Sequence, residues 1–214
     1  MNDRELLDRI EGTPWIEDLL GRFDFELYRR DYGPVEPVAL AGGEPLEMIA
    51  GDGSGGAFLL AGSGPQRPML YVGSEGEGGL VATGLRDGLA LIIGVSSLHD
   101  ATAFPVDEDE GRKLRDWLAT ADAEIREDWP ELNADRTRLR AALDLRQVDD
   151  TLLRSLHEAA ADLRYRPFNE EGLPYRSMLS WLDEPWHGPD RPITATAAVP
   201  ARADEQLPGQ SSLF

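Results

Sequence analysis

Apolar positions change their spacing several times along this chain, and each change marks an expected element. Over residues 3–10, Leu6, Leu7 and Ile10 fall on one side of a helical repeat, which predicts a short helix. Trp15, Ile16, Leu19 and Leu20 predict a second helix that ends at Gly21. Thr13 is placed to cap it, and Pro14 sits in the first turn, where a missing N–H costs nothing. Phe23, Phe25, Leu27 and Tyr28 then follow a near-alternating pattern, so 23–28 reads as the first strand.

Pro34, Pro37, Gly42, Gly43 and Pro45 interrupt the next stretch. Two short apolar runs, 46–50 and 57–61, enclose Gly51-Asp52-Gly53-Ser54-Gly55-Gly56, the pattern of a hairpin whose glycines supply positive φ. Residues 69–72 form another strand-like run before a Ser74-Glu75-Gly76 corner. From Thr83, a plausible cap, Leu85, Leu89, Ile92 and Ile93 recur at helical spacing.

After Asp100 the pattern is helical throughout. Asp107, Glu108, Asp109 and Glu110 are expected to open a helix whose dipole they complement, with Leu114, Trp117, Leu118, Ala121 and Ile125 on one face. Trp129-Pro130 breaks it. Leu139 and Leu143 mark another helix, and Leu152, Leu153, Leu156, Ala160 and Leu163 a third, with Asp149 or Asp150 near its cap. A short helix is expected over 175–182. From Pro185 onward the chain holds five prolines and little apolar material until its last two residues, which predicts a disordered tail.

The fold expected is therefore α+β: a small twisted, mainly antiparallel sheet with flanking helices, then a helical C-terminal region and a tail. The division expected is 1–104 for the α+β domain, 105–184 for the helical extension and 185–214 for the tail. No internal repeat is visible.

Composition narrows the function classes. The 214 residues, 41% of them apolar, suffice for a buried core. There is no cysteine, so disulfides and thiolate metal sites are excluded. No apolar run is long enough to span a bilayer, and the N-terminus lacks a signal-peptide pattern, so the expected location is the cytoplasm. Acids outnumber bases 40 to 21, for a formal net charge of −19. That balance opposes direct contact with nucleic acid, whose phosphates demand a basic footprint. It favours steered association with a basic partner. It also agrees with a merely acidic composition, since Lys113 is the only lysine and Ala and Gly are abundant.

Candidate catalytic chemistry is sparse. Gly51 to Gly56 satisfies G-x-G-x-x-G, and Glu75 stands where a ribose-binding acid would. A dinucleotide site, however, needs a helix directly after the glycines, and residues 57–61 run into Gly62-Ser63-Gly64-Pro65 too soon for one. No lysine follows the glycines, which excludes a Walker-type loop. The acids at 107–110 lack the alternate spacing of an EF-hand. His99, His157 and His187 are widely separated, with His157 expected on a helix surface beside Glu158, and no serine occupies G-x-S-x-G. Glu75 and Glu77 flank Gly76 as a candidate pair, with Glu75 more simply read as ordering its turn by accepting backbone N–H bonds. No cofactor, no metal and no catalytic residue is expected.

Two resemblances carry the functional reading. Gly51 to Gly56 with Phe58, then Met69-Leu70-Tyr71-Val72, then Ser74-Glu75-Gly76 and the helix over 82–93 ending in LIIGV, resemble the SUKH superfamily across about residues 48–100. The resemblance implies a non-enzymatic α+β scaffold in which Gly53, Gly56 and Glu75 maintain the fold. It also implies a bacterial immunity protein that binds another protein, with a basic, nuclease-like toxin as the partner the charge suggests. Separately, Gln210-Ser211-Ser212-Leu213-Phe214 resembles the Q-x-x-L-F peptide with which bacterial repair proteins dock on the DNA sliding clamp. That resemblance implies an adaptor using Gln210, Leu213 and Phe214.

Overall fold

The structure, a computed structural model, describes residues 1–179. Helix α1 (Asp3–Glu11) starts where Asn2 accepts the Glu5 N–H at 2.9 Å and the Glu5 carboxylate takes the Asn2 N–H at 2.9 Å. This reciprocal cap satisfies two otherwise orphaned donors and aims Leu6, Leu7 and Ile10 inward, all of them buried. Helix α2 (Pro14–Gly21) begins on proline as expected, but the Thr13 side chain makes no capping bond.

After a two-residue strand, β1 (Ala39–Leu40), the chain lays down β2 (Leu46–Gly51), β3 (Ala57–Ala61), β4 (Met69–Val72) and β5 (Gly78–Ala82). These four form one antiparallel sheet in chain order, with an extra residue at Ile49 in β2 and at Val81 in β5 where the register shifts. Helices α3 (Leu85–Gly94), α4 (Leu98–Ala101), α5 (Arg112–Asp128), α6 (Leu132–Leu143) and α7 (Asp150–Ala160) follow. Strand β6 (Pro167–Phe168) returns to pair with β1, antiparallel. The α+β class with antiparallel sheets is thus the architecture of the described residues.

Both faces of the sheet are covered, which explains why β3 reads as an unbroken apolar run. Phe58, Leu60 and Met69 point into one core with Leu6, Leu20, Phe25 and Leu89. Leu59, Leu70, Val72 and Leu80 point into another, closed by Leu40, Ala159 and Tyr175. Trp129, Leu132, Leu139 and Leu143 join the first core, while Leu152 and Leu156 pack with Val81 and Leu91 in a third. Helices beyond residue 104 therefore complete the same cores as the sheet. Large buried side chains of this kind contribute about 1.5–3 kcal/mol each.

Several expectations are corrected. Residues 23–28 are not a strand: Asp24 adopts φ +55°, and a 3₁₀ turn begins at Leu27. Only Glu26 pairs, bonding Gly51 in both directions at 2.8 and 3.1 Å. Strand β5 was not foreseen. The helix after it starts at Leu85 with Gly84 as its cap, so Thr83 plays no capping part. The acids at 107–110 do not form the first turn of α5. Glu108–Gly111 is a separate 3₁₀ turn with Asp109 and Glu110 at positive φ, and α5 opens on Arg112 behind Gly111. These acids pair with bases instead: Asp109 with Arg112, Glu108 with Lys113 and Asp107 with Arg154. Residues 175–179 are not helical: Arg176 bridges Glu77, and residues 178 and 179 form a bend. His157 is buried, not superficial. Asp149 caps α7 as expected, accepting the Leu152 N–H at 2.8 Å.

Candidate functional site

The turn between β2 and β3 is built around Asp52. Its Oδ1 accepts the Ser54 N–H at 2.8 Å, the Ser54 hydroxyl at 2.7 Å and the Gly56 N–H at 2.8 Å, and its Oδ2 accepts the Tyr71 hydroxyl at 2.7 Å. Gly55 sits at φ +98°, a conformation costly for side-chain-bearing residues. Gly56 passes so close to the Asp52 carboxylate and the Tyr71 ring that a Cβ would collide with both. Burial works against ionisation of Asp52, but the bonds from Tyr71, Ser54 and Gly56 outweigh it and hold its carboxyl below the ordinary range. Burial, reinforced by the Asp52 bond, pushes the Tyr71 hydroxyl well above its usual pKa, so it stays a donor.

Of the two buried carboxylates among the described residues, Asp3 has Arg67 at 3.8 Å, whereas Asp52 has no base within 4 Å. Asp52 is satisfied by dipoles alone. The segment after α2, tied to β2 through Glu26 and Gly51, brings a second acid, Asp24, beside it. Asp24 is exposed as a residue. Loss of solvent around its carboxyl, then the neighbouring Asp52 charge, still raise its pKa, against a pull from the Gly53 amide. A left-handed backbone and a like-charged neighbour both cost stability there. Glu77, half-buried with its carboxylate over Gly73, is the third acid, and it too lacks a base within 4 Å among the described residues.

These three acids share a cavity of about 360 Å³ between the sheet and helices α3 to α6. Phe58 and Tyr71 line one side, their rings 5.1 Å apart. Phe23 and Trp129 line another, 4.7 Å apart. Two arginines also reach the cavity, and both are already committed. Arg136 gives its Nε–H to the Ile93 carbonyl at 2.8 Å and a fork of two bonds to Asp122. Arg22 lies 3.7 Å over the Trp129 ring and 3.5 Å from Asp135. The Ser96 hydroxyl oxygen, on the same wall, is buried with no hydrogen-bond partner among the described residues. Among the described residues the arrangement offers three acids and flat rings against one uncommitted base, the exposed His99 imidazole, which suits a cationic guest of modest size.

The residues singled out from the sequence scatter relative to this cavity. Gly53 and Gly56 both follow Asp52 in the turn, yet of the two only Gly56 is sterically required; a Cβ on Gly53 would meet Asp24 at an ordinary 3.5 Å. Glu75 is exposed, and among the described residues its carbonyl accepts from Arg176 at 2.6 Å while its carboxylate takes no backbone N–H; the carboxylate that orders a turn is that of Asp52, in the 51–56 turn. Glu77, its partner in the sequence pair, does face the cavity. His99 lines the cavity, whereas His157 binds the Ala101 carbonyl at 2.8 Å. Among the described residues no cluster of His, Asp or Glu is arranged to hold a metal ion. Gln210, Leu213 and Phe214, like His187, lie outside the described residues.

Sequence reasoning missed Asp24, Asp52, Tyr71 and Ser96. Asp52 carried a signal, an acid held between two glycines at a turn; Asp24 and Ser96 carried none. No helix among the described residues is long and apolar enough to cross a membrane. No family model, curated protein or solved structure matches the chain.

Proposed function

We propose that this chain is a cytoplasmic, non-enzymatic protein that binds another protein, and that it acts as an immunity protein of the SUKH type by covering a basic toxin. The observation that carries the reading is the acid surface along α5 and the turn after it. Asp116, Glu124, Glu127, Asp128 and Glu131 are exposed, and none has a base within 4 Å among the described residues. With a net charge of −19, such a face accelerates encounter with a basic surface and repels acidic ones. The β2–β3 hairpin, its Asp52-centred turn and the β4 strand support the family resemblance. Gene neighbourhood and binding together test it. A large toxin gene beside this one, and stoichiometric binding of its toxic domain that weakens with added salt, support the reading. Equal affinity for acidic and basic partners, insensitive to salt, overturns it.

A second proposal, an adaptor on the bacterial sliding clamp, rests on the sequence of residues 210–214 alone. Clamp pull-down with and without those residues decides it; undiminished capture after their deletion removes it.

A further inference from the structure

We infer that the cavity between the sheet and helices α3 to α6 receives the guanidinium group of a single arginine side chain from a basic protein partner, an inference that rests on the protein-binding reading above. Its volume, about 360 Å³, falls within the roughly 300–1,000 Å³ of ligand pockets. The free acceptors decide the sign of the guest. Asp52 is filled by its four donors, so among the described residues Asp24 and Glu77 remain as carboxylates with no base within 4 Å, and the buried Ser96 hydroxyl, able to donate or accept, has no partner. Of the resident bases among the described residues, Arg136 is spent on Asp122 and the Ile93 carbonyl, Arg22 is stacked on Trp129 with Asp135 3.5 Å away, and the exposed His99 is the one left uncommitted, so the acids outnumber the bases open to a guest.

The walls decide which cation. A guanidinium is planar, weakly hydrated, stacks on aromatic faces and spreads its N–H groups over several acceptors, whereas an ammonium is a compact, strongly hydrated point charge. Phe23, Phe58, Tyr71 and Trp129 supply the rings, and Arg22 over Trp129 shows that this wall accepts a guanidinium face. The acid face of α5 adjoins the cavity, since Ile125 and Trp129 line it while Glu124 and Asp128 are their exposed neighbours. A basic partner steered onto that face would meet the opening.

Calorimetric titration of the full chain with Nα-acetyl-arginine amide, alongside its lysine and citrulline counterparts, tests the inference. The expected result is saturable binding of the arginine compound, at least about tenfold weaker binding of the neutral citrulline compound, and weaker binding of lysine. The Asp24→Asn/Glu77→Gln double variant should lose about tenfold in affinity while unfolding no earlier than the parent chain. Glu170→Gln/Glu171→Gln, which removes two charges from an exposed turn outside the cavity, should bind as the parent does. Citrulline or lysine binding as tightly as arginine, or unchanged affinity in the double variant, overturns the assignment. Toxin binding undiminished in the double variant sinks the cavity alone. Arginine-amide binding that persists when no basic protein binds sinks the protein-binding reading alone.

Discussion

Two turns line the cavity, each with an aspartate, and they treat their charges in opposite ways. In the 51–56 turn, Asp52 is buried and every bond it accepts comes from the turn itself or from Tyr71. In the 23–26 turn, Asp24 is exposed, left-handed in backbone and crowded by the charge of Asp52. One carboxylate holds the fold together; the other is held by the fold at a cost. A residue of the second kind is where a binding function is to be sought, and the comparison can be broken or sharpened by substitution.

The largest effect is expected from Asp52→Ala. It strands the Ser54 and Gly56 amides and the Tyr71 hydroxyl, and should cost roughly 3–5 kcal/mol of stability in denaturant unfolding. Tyr71→Phe removes one donor to a charged acceptor and should cost roughly 1–3 kcal/mol. It should also bring the Asp52 carboxyl back up. Because the folded carboxyl is depressed below its ordinary 3.8, its stabilisation is present above that value and is lost as pH falls through the lower folded value. Tyr71→Phe should therefore make the chain unfold at a higher pH during acid titration.

A smaller effect lies at His157. Burial holds this imidazole below its ordinary 6.5, against the pull of the Ala101 carbonyl. The unfolded chain then binds the proton first, so stability declines as pH drops below about 6.5. His157→Gln should flatten that part of the pH profile of the melting temperature. The smallest effect on stability is expected from Asp24→Asn. Its raised pKa means that the charged form opposes folding above that pKa, so the neutral amide should leave the melting temperature at pH 7 unchanged or slightly higher.

How much of this was legible in the sequence follows the same division. The β2–β3 hairpin could be read because its apolar runs and glycines agree, and α7 because its spacing and Asp149 cap agree. Strand β5 could not: Gly78, Gly79 and Ala82 have no strand propensity, and their burial comes from the layers above and below. Phe23 and Phe25 alternate like a strand, but the left-handed Asp24 turns the chain before the single bridge at Glu26, and a 3₁₀ turn from Leu27 ends it. The acid run at 107–110 resembles a helix start until its three arginine and lysine partners are known, one of them 47 residues away. His157 beside Glu158 reads as surface, although it follows the buried Leu156 around the helix toward α4. The cavity was least visible of all, because Asp24, Asp52, Glu77 and Ser96 come together only through tertiary packing.

The most direct measurement is the rise in melting temperature that Nα-acetyl-arginine amide produces at pH 7 in the parent chain and in Asp24→Asn. The account predicts a rise in the parent, an equal or higher starting temperature in the variant, and a smaller rise there at the same ligand concentration. A variant that starts lower yet keeps the full rise would make Asp24 a structural residue like Asp52 and contradict the account.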